Sequence, residues 1–153
     1  MIGLLIKRAT MEDARRLFEW RNDEQTRKQS RNPAPVSWDG HVQWLEKSLK
    51  NPKRILCIAE VDGNAIGTMR ADERDDGYTE ISYTIAPYVR GKGFSKLMVL
   101  KFVKEYLAGR AIAAHIKKGH APSESVTKAL GLSPHHETPS ADPEDPRPMV
   151  EWR

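Results

Sequence analysis

A short basic turn, Arg90-Gly91-Lys92-Gly93-Phe94-Ser95, constrains most strongly what this chain can fold into. The residues before it, 78–85, are rich in β-branched and aromatic types and predict a strand. The residues after it, 96–107, carry a wide apolar stripe at helical spacing and predict a helix. At the N-terminus of such a helix, unpaired N–H groups and the positive dipole end favour an anion. Gly91 and Gly93 would allow the backbone to approach that anion closely.

Two phosphate-binding motifs can be compared with this turn. A Walker loop requires G-x-x-x-x-G-K-[ST], and the chain contains no such run. The dinucleotide motif G-x-G-x-x-G requires a third glycine at the position where Lys96 stands. From these residues alone, a tight glycine turn without any ligand remains an open alternative.

The order of residues around the turn resembles the acetyl-CoA loop of the GNAT family of N-acetyltransferases. In that family a strand ending in x-V-x-P is followed by Q/R-x-x-G-x-G/A. The chain matches this pattern at Ile85, Pro87, Arg90 and Gly93. Ser95 departs from it, because glycine or alanine is usual there. The resemblance implies that the loop amides hold the pyrophosphate of acetyl-CoA, while the pantetheine arm pairs with the end of a splayed strand.

A second segment extends the resemblance. The family has N-x-x-S/A, a helix and then G-F, which Ser123 and Gly131-Leu132 fit, while His120 replaces the asparagine that contacts the cofactor. An exposed loop histidine and a helix cap are the alternative interpretations of His120 and Ser123. Thr127 stands where many members carry a tyrosine as acid for the leaving thiolate, and an aliphatic hydroxyl is too weak an acid for that role. The implied cofactor-binding residues are Ile85, Arg90, Gly91, Lys92, Gly93, Phe94, Ser95, His120 and Ser123.

The order of predicted elements along the chain is also the one that this family uses. Strands are predicted over 2–9, 54–61, 64–71, 78–85 and 110–116, and helices over 10–22, 38–49 and 96–107, with a further helix after residue 121. Residues 24–35 predict a short helix or loop. The expected fold class is therefore α/β (α+β) and GNAT-like. It has a mixed, mostly antiparallel central sheet flanked by helices, with a splayed strand pair for the cofactor, in a single domain over 1–153.

The C-terminal tail is expected to lack regular structure for most of its length. Residues 133–148 contain five prolines and four acids and predict an extended loop, after which 149–153 predict a last strand. His135-His136 lies beside no cysteine and has no recognisable ligand spacing, so we interpret it as a solvated pair. No metal site is predicted.

Composition restricts the class of protein further. The 153 residues suffice for one ordinary domain, and no apolar run is long enough to span a membrane. Cys57 is the only cysteine and lies in an apolar stretch, which indicates a buried thiol and a reducing, cytoplasmic location. The net charge of +4 suits a polyanionic ligand such as coenzyme A. The expected assembly is a monomer or a homodimer.

By resemblance, the reaction is direct attack of a primary amine on the acetyl thioester. A free alkylammonium has a pKa near ~10, so the site must help to remove a proton from it. Glu80, on the strand before the turn, is our candidate base, with an exposed or ion-paired glutamate as the alternative. Tyr83 is a candidate acid, as is Tyr88, with packing as the alternative for both.

In this family, the first two helices and their connection cover the acceptor amine. Their run W-R-N-D…R…S-R-N…H-x-x-W-L resembles the acetyltransferases that act on nucleotide-linked amino sugars. A diphosphate would then meet the arginines of this region, and a base or sugar would stack on tryptophan. The predicted acceptor-binding residues are Arg21, Arg27, His41 and Trp44, with Arg31 in the same basic cluster. Core packing of the aromatic rings and a solvated arginine face are the alternatives.

Other functions remain open from the sequence. The acceptor could instead be a peptide N-terminus or another small amine. A non-catalytic acetyl-CoA-binding module would fit the altered residues Ser95, His120 and Thr127. A nucleic-acid binder is disfavoured, because no aromatic residues are interleaved with a basic strip.

Overall fold

The computed structural model describes residues 3–153, which form one seven-stranded sheet and five α-helices. The strands are β1 Leu4–Arg8, β2 Arg54–Val61, β3 Asn64–Glu73, β4 Tyr78–Ile85, β5 Ala111–Lys117, β6 Pro134–Thr138 and β7 Met149–Trp152. The helices are α1 Ala14–Asn22, α2 Glu24–Gln29, α3 Trp38–Lys50, α4 Phe94–Tyr106 and α5 Ala121–Ala129. Short 3-10 turns, Met11–Asp13 and Pro87–Val89, precede α1 and the glycine turn.

The sheet is mixed and mostly antiparallel, which confirms the predicted fold class. Its strand order is β1-β2-β3-β4-β5-β7-β6, and β4 with β5 is the one parallel pair among the described strands. The two strands of that pair are joined through α4, as a parallel connection requires.

The parallel pair separates halfway along its length. Its register runs from Tyr78 opposite Ala111 to Ile81 opposite Ala114 and then stops. β4 continues to Ile85 beside β3, whereas β5 from Ala114 onward pairs with β7 on its other side. Residues 82–85 therefore have no strand partner on the edge that faces β5, and the predicted splayed pair is present.

Helices cover both faces of the sheet. Met98 of α4 packs on Gly67, where a Cβ would lie 2.6 Å from its sulfur. Trp44 of α3 lies against Arg70, three residues further along β3. Because side chains alternate along a strand, this odd spacing puts α3 and α4 on opposite faces. Leu45 and Phe102, both fully buried, belong to the same extensive apolar core.

The tail differs from its prediction. Residues 134–138, expected as part of an extended loop, form the edge strand β6, which pairs with the predicted last strand β7. All five β6 residues are exposed, so hydrogen bonding to β7 holds this strand in place and apolar burial does not. Ile2, predicted within the first strand, lies outside the described residues. No helix in 3–153 has the length and apolar character that crossing a membrane requires.

Candidate active site

The glycine turn has the geometry of an anion site. Gly91 and Gly93 have φ angles of 76° and 80°, which only glycine adopts at little cost. Gly93 immediately precedes α4, and no side chain caps the helix there. A Cβ at either glycine would have no neighbour within 4 Å, so the turn borders open space. The uncapped N–H groups at the start of α4 are thus available to a phosphate group.

The other predicted loop residues have different environments. The Arg90 guanidinium donates to the Asp23 carboxylate and, at 3.0 Å, to the hydroxyl of Thr26. Lys92 is exposed, while Phe94 packs against the core. The side chain of Arg90 thus connects the glycine turn to the start of α2.

The start of α5 lies beside β4. His120 Nδ1 is 2.6 Å from the hydroxyl of Ser123, and burial lowers the pKa of His120. Burial raises the pKa of Tyr83, and the neighbouring Ser123 hydroxyl opposes that rise. Thr127 is buried and donates to the Glu124 carbonyl at 2.9 Å, so its hydroxyl is already hydrogen-bonded within the helix. Tyr88 likewise donates to the Ala65 carbonyl.

A charged cluster lies where β4 and β5 begin to separate. Nδ1 of His115 is 3.1 Å from Glu80, and its Nε2 is 3.3 Å from Glu151. Arg74 reaches both carboxylates, at 2.5 Å from Glu151 and 3.4 Å from Glu80. The hydrogen bond from His115 lowers the pKa of Glu80 although burial opposes the shift, so this carboxylate stays ionised at neutral pH.

The same cluster offers potential metal ligands. One donor atom each from Glu80, His115 and Glu151 lies within 4.8 Å of the others. Arg74 and Arg153 both pair with Glu151, at 2.5 and 2.6 Å. These arginines already supply the positive charge that a metal ion would bring to the carboxylates.

A cavity of about 280 Å³ opens on this side of the sheet. Its walls come from the connection after α2, from β5 and from the segment between β6 and β7. They are formed by Arg31, His115, Lys117, Thr138, Pro139, Ser140, Ala141, Asp142, Arg147 and Met149. Because His115 is both a wall residue and a partner of Glu80, the cavity meets the charged cluster directly.

The four acceptor residues predicted from sequence do not meet in this cavity. Arg21 donates to the carbonyl of Asn32 at 3.0 Å, and Arg27 donates to the carbonyls of residues 22 and 33. His41 is only 4% exposed, and its ring stacks on Trp44 with centroids 5.6 Å apart. Among residues 3–153, none of the four forms part of the cavity wall, whereas Arg31 does.

Sequence reasoning missed several residues of this site. His115 occurs in the apolar run A-I-A-A-H-I-K, where a polar side chain on a buried strand was the visible signal. Its partner Glu151 and the wall residues Lys117 and Arg147 carry no local pattern. They come together only through the sheet order β4-β5-β7.

A second, shallower groove lies beside the glycine turn. It measures about 520 Å³ and runs between α4 and α5. Lys96 of the first α4 turn and Lys128 of α5 line it together with one carboxylate, Glu124, so its lining has a net positive charge. This charge suits a polyanionic ligand that extends from the turn.

The family model of the acetyltransferase (GNAT) domain matches residues 4–133. The chain therefore belongs to the GNAT acetyltransferase family, whose acetyl donor is acetyl-CoA, and the resemblance of the sequence to this family is confirmed. It is an acetyltransferase with acetyl-CoA as cosubstrate. No curated protein matches it in sequence.

Solved structures share the fold at low identity. A ribosomal-protein-alanine N-acetyltransferase from Brucella melitensis has a TM-score of 0.81 at 19% identity, with 97% of each chain covered. A Salmonella typhimurium protein with acetyl-CoA gives 0.80 at 18% identity, over 98% of this chain and 92% of the other. Spermidine N-acetyltransferase from Vibrio cholerae, with CoA and spermine, gives 0.84 at 16% identity, over 97% and 93%.

Proposed function

We propose that this acetyltransferase acts on a primary amine of a small acceptor that enters the cavity beside His115. The observation that carries the proposal is the contact of the ionised Glu80 with His115. Through that contact, Glu80 lies where β4 and β5 separate, and its partner His115 lies on the wall of the cavity. A cavity of about 280 Å³ has room for a small amine or for the end of a larger ligand.

The residues around the glycine turn fit acetyl-CoA, which supplies the activated acetyl group. The amides after Gly93 would hold its diphosphate, as Gly91 and the uncapped α4 N-terminus favour. The unpaired edge of β4 would hydrogen-bond the pantetheine arm. His120 and Ser123 flank the same edge from α5 and remain proposed cofactor contacts.

The protein assists two proton transfers: removal of a proton from the bound ammonium before attack, and delivery of a proton to the sulfur. The neutral nitrogen forms a bond to the acetyl carbon as the carbon–sulfur bond breaks, and the proton that nitrogen loses in this step passes to water and restores the group that protonated the sulfur. We assign the first proton to Glu80, directly or through one water, because this carboxylate is ionised and borders the cavity through His115. We assign the second to Tyr83, because burial keeps its phenol protonated and Thr127 is already hydrogen-bonded.

Replacing Tyr83 by phenylalanine is expected to lower kcat about 10-fold at pH 7. An alkyl thiol has a pKa near ~8.5, so loss of the acid should matter less above that pH, where the thiolate is stable. Rates measured between pH 6.5 and 9.5 would test this. Tyr78→Phe, on the same strand, is the matched control and should keep the native rate. An equal loss at every pH would contradict the acid role.

A nucleotide-linked amino sugar remains the acceptor predicted from sequence. Its diphosphate would lie against Arg31 at the cavity wall, with the sugar amine directed towards His115. Within the predicted basic cluster, Arg31 supports this acceptor best, because the guanidinium groups of Arg21 and Arg27 bind backbone carbonyls. A peptide amine remains the alternative.

Release of free thiol from acetyl-CoA tests the proposed function directly. We expect amine-dependent release with at least one member of a panel of primary amines, and acetylated product by mass spectrometry. Tight cofactor binding with no release on any amine would favour the non-catalytic binding module instead.

A further inference from the structure

We propose that the acceptor is a primary amine that also carries an anionic group, and that Arg31 binds this group in the cavity. The inference rests on the proposed function and specifies its substrate class. A carboxylate, a phosphate or a nucleotide diphosphate would provide the same chemistry. A polyamine, which carries only positive charge, would not.

Arg31 is the wall residue with the most unused binding capacity. Its side chain is 60% exposed, and its guanidinium forms one long ion pair, 3.7 Å from the Glu80 carboxylate. Glu80 itself is closer to His115 and Arg74. Within residues 3–153 the Arg31 guanidinium makes no hydrogen bond, so its planar set of donors is available for a carboxylate or phosphate.

The remaining wall is also positively charged. The buried ammonium of Lys117 lies 2.8 Å from Asp145, and Arg147 lies 2.7 Å from the same carboxylate. Two cations thus share one acid, and their hydrogen bonds strongly lower the pKa of Asp145. The cavity wall itself contains three cations, Arg31, Lys117 and Arg147, and one carboxylate, Asp142.

The complementary charge lies next to Arg31, behind His115. His115 contacts the carboxylates of Glu80 and Glu151, and Glu80 is 3.7 Å from Arg31, so an anion and an ammonium group a few ångströms apart on one ligand can meet both charges. An acceptor amine would lie towards Glu80, and its anionic group would lie towards Arg31. A second ammonium group at that position would face Arg31 instead, and like charges repel. The distribution of charge therefore favours a zwitterionic acceptor over a polycation.

Matched pairs of amines test this inference. Suitable probes are β-alanine with β-alaninamide, 4-aminobutanoate with its amide, O-phosphoethanolamine with ethanolamine, a nucleotide-linked amino sugar, and spermidine. We expect the native protein to favour an anionic member by at least about 10-fold in kcat/KM. Which anionic probe is best identifies the source of the charge as carboxylate, phosphate or nucleotide.

Arg31→Gln should remove that preference. Its kcat/KM should fall about 10-fold or more for the anionic amine and stay within about twofold for the uncharged partner. Calorimetry on the CoA-saturated protein should show the same loss in affinity for the anionic probe. Arg16→Gln is the control, because this exposed arginine pairs with Asp13 away from the cavity.

The outcomes separate the inference from the proposed function. If uncharged amines or spermidine are acetylated best and Arg31→Gln changes nothing, the inference is wrong and the proposed function stands. If acetyl-CoA binds but no probe is acetylated, the proposed function fails, and the inference fails with it.

Discussion

Replacing Gly93 by aspartate is expected to weaken coenzyme A binding more than about 100-fold, which corresponds to about 2.8 kcal/mol. The backbone at this residue has φ 80°, which an aspartate adopts only with strain. The new carboxylate would also stand at the uncapped N-terminus of α4 and compete there with the diphosphate for the same N–H groups. Isothermal titration of coenzyme A into the variant measures the effect.

A matched variant at the other end of α4 separates binding from backbone strain. Gly109 has φ 79° and, like Gly93, open space where a Cβ would lie. Gly109→Asp therefore introduces similar strain and the same charge far from the turn, and should keep the native affinity. Gly93→Ala adds strain without charge and should fall between the two. Unchanged affinity in Gly93→Asp would show that the diphosphate binds elsewhere.

The parts of this molecule that were predictable from sequence are those determined by neighbouring residues. β4 has the predicted bounds, because its β-branched and aromatic residues have a strong local preference for extended backbone. The glycine turn was predictable for a similar reason, since Gly91 and Gly93 adopt φ angles that other residues avoid. The sheet order then follows from the family resemblance, which the family model confirms.

β6 was not predictable on the same grounds. Residues 134–138 show no apolar alternation, and all five are exposed. They begin with a proline, and their pairing with β7 contains a register shift. This strand exists because β7, itself buried, presents an unpaired edge to it, which is a property of the folded sheet and not of the segment.

The candidate site was predictable only in part, because sequence does not reveal which side chains are already bonded. Arg21 and Arg27 have the charge expected of phosphate ligands, yet both donate to backbone carbonyls of their own region. Arg31, four residues after Arg27, makes no hydrogen bond within the described residues 3–153 and lines the cavity. Its partners on that wall, Lys117 and Arg147, are distant in sequence and meet it only in the folded chain.

Replacing Glu80 by glutamine is expected to lower kcat about 100-fold to 1,000-fold at pH 7 and to change it little near pH 10. A primary amine with a pKa near ~10 is only about 0.1% neutral at pH 7. Without a base, only that fraction reacts, so the rate of the variant should rise about tenfold per pH unit. The native carboxylate remains ionised well into the acid range because His115 lowers its pKa, so the native profile should be flatter.

The pH dependence distinguishes a base from a structural glutamate. Glu80 also contacts Arg74 and His115. Its replacement would therefore disturb the region where β4 and β5 separate even if the carboxylate took no part in the reaction. A disturbance of that kind would lower the rate equally at every pH, whereas loss of a base is compensated as the amine becomes neutral. Glu73→Gln is the control: this exposed carboxylate pairs with Arg110 at 3.3 Å, and its variant should keep the native profile.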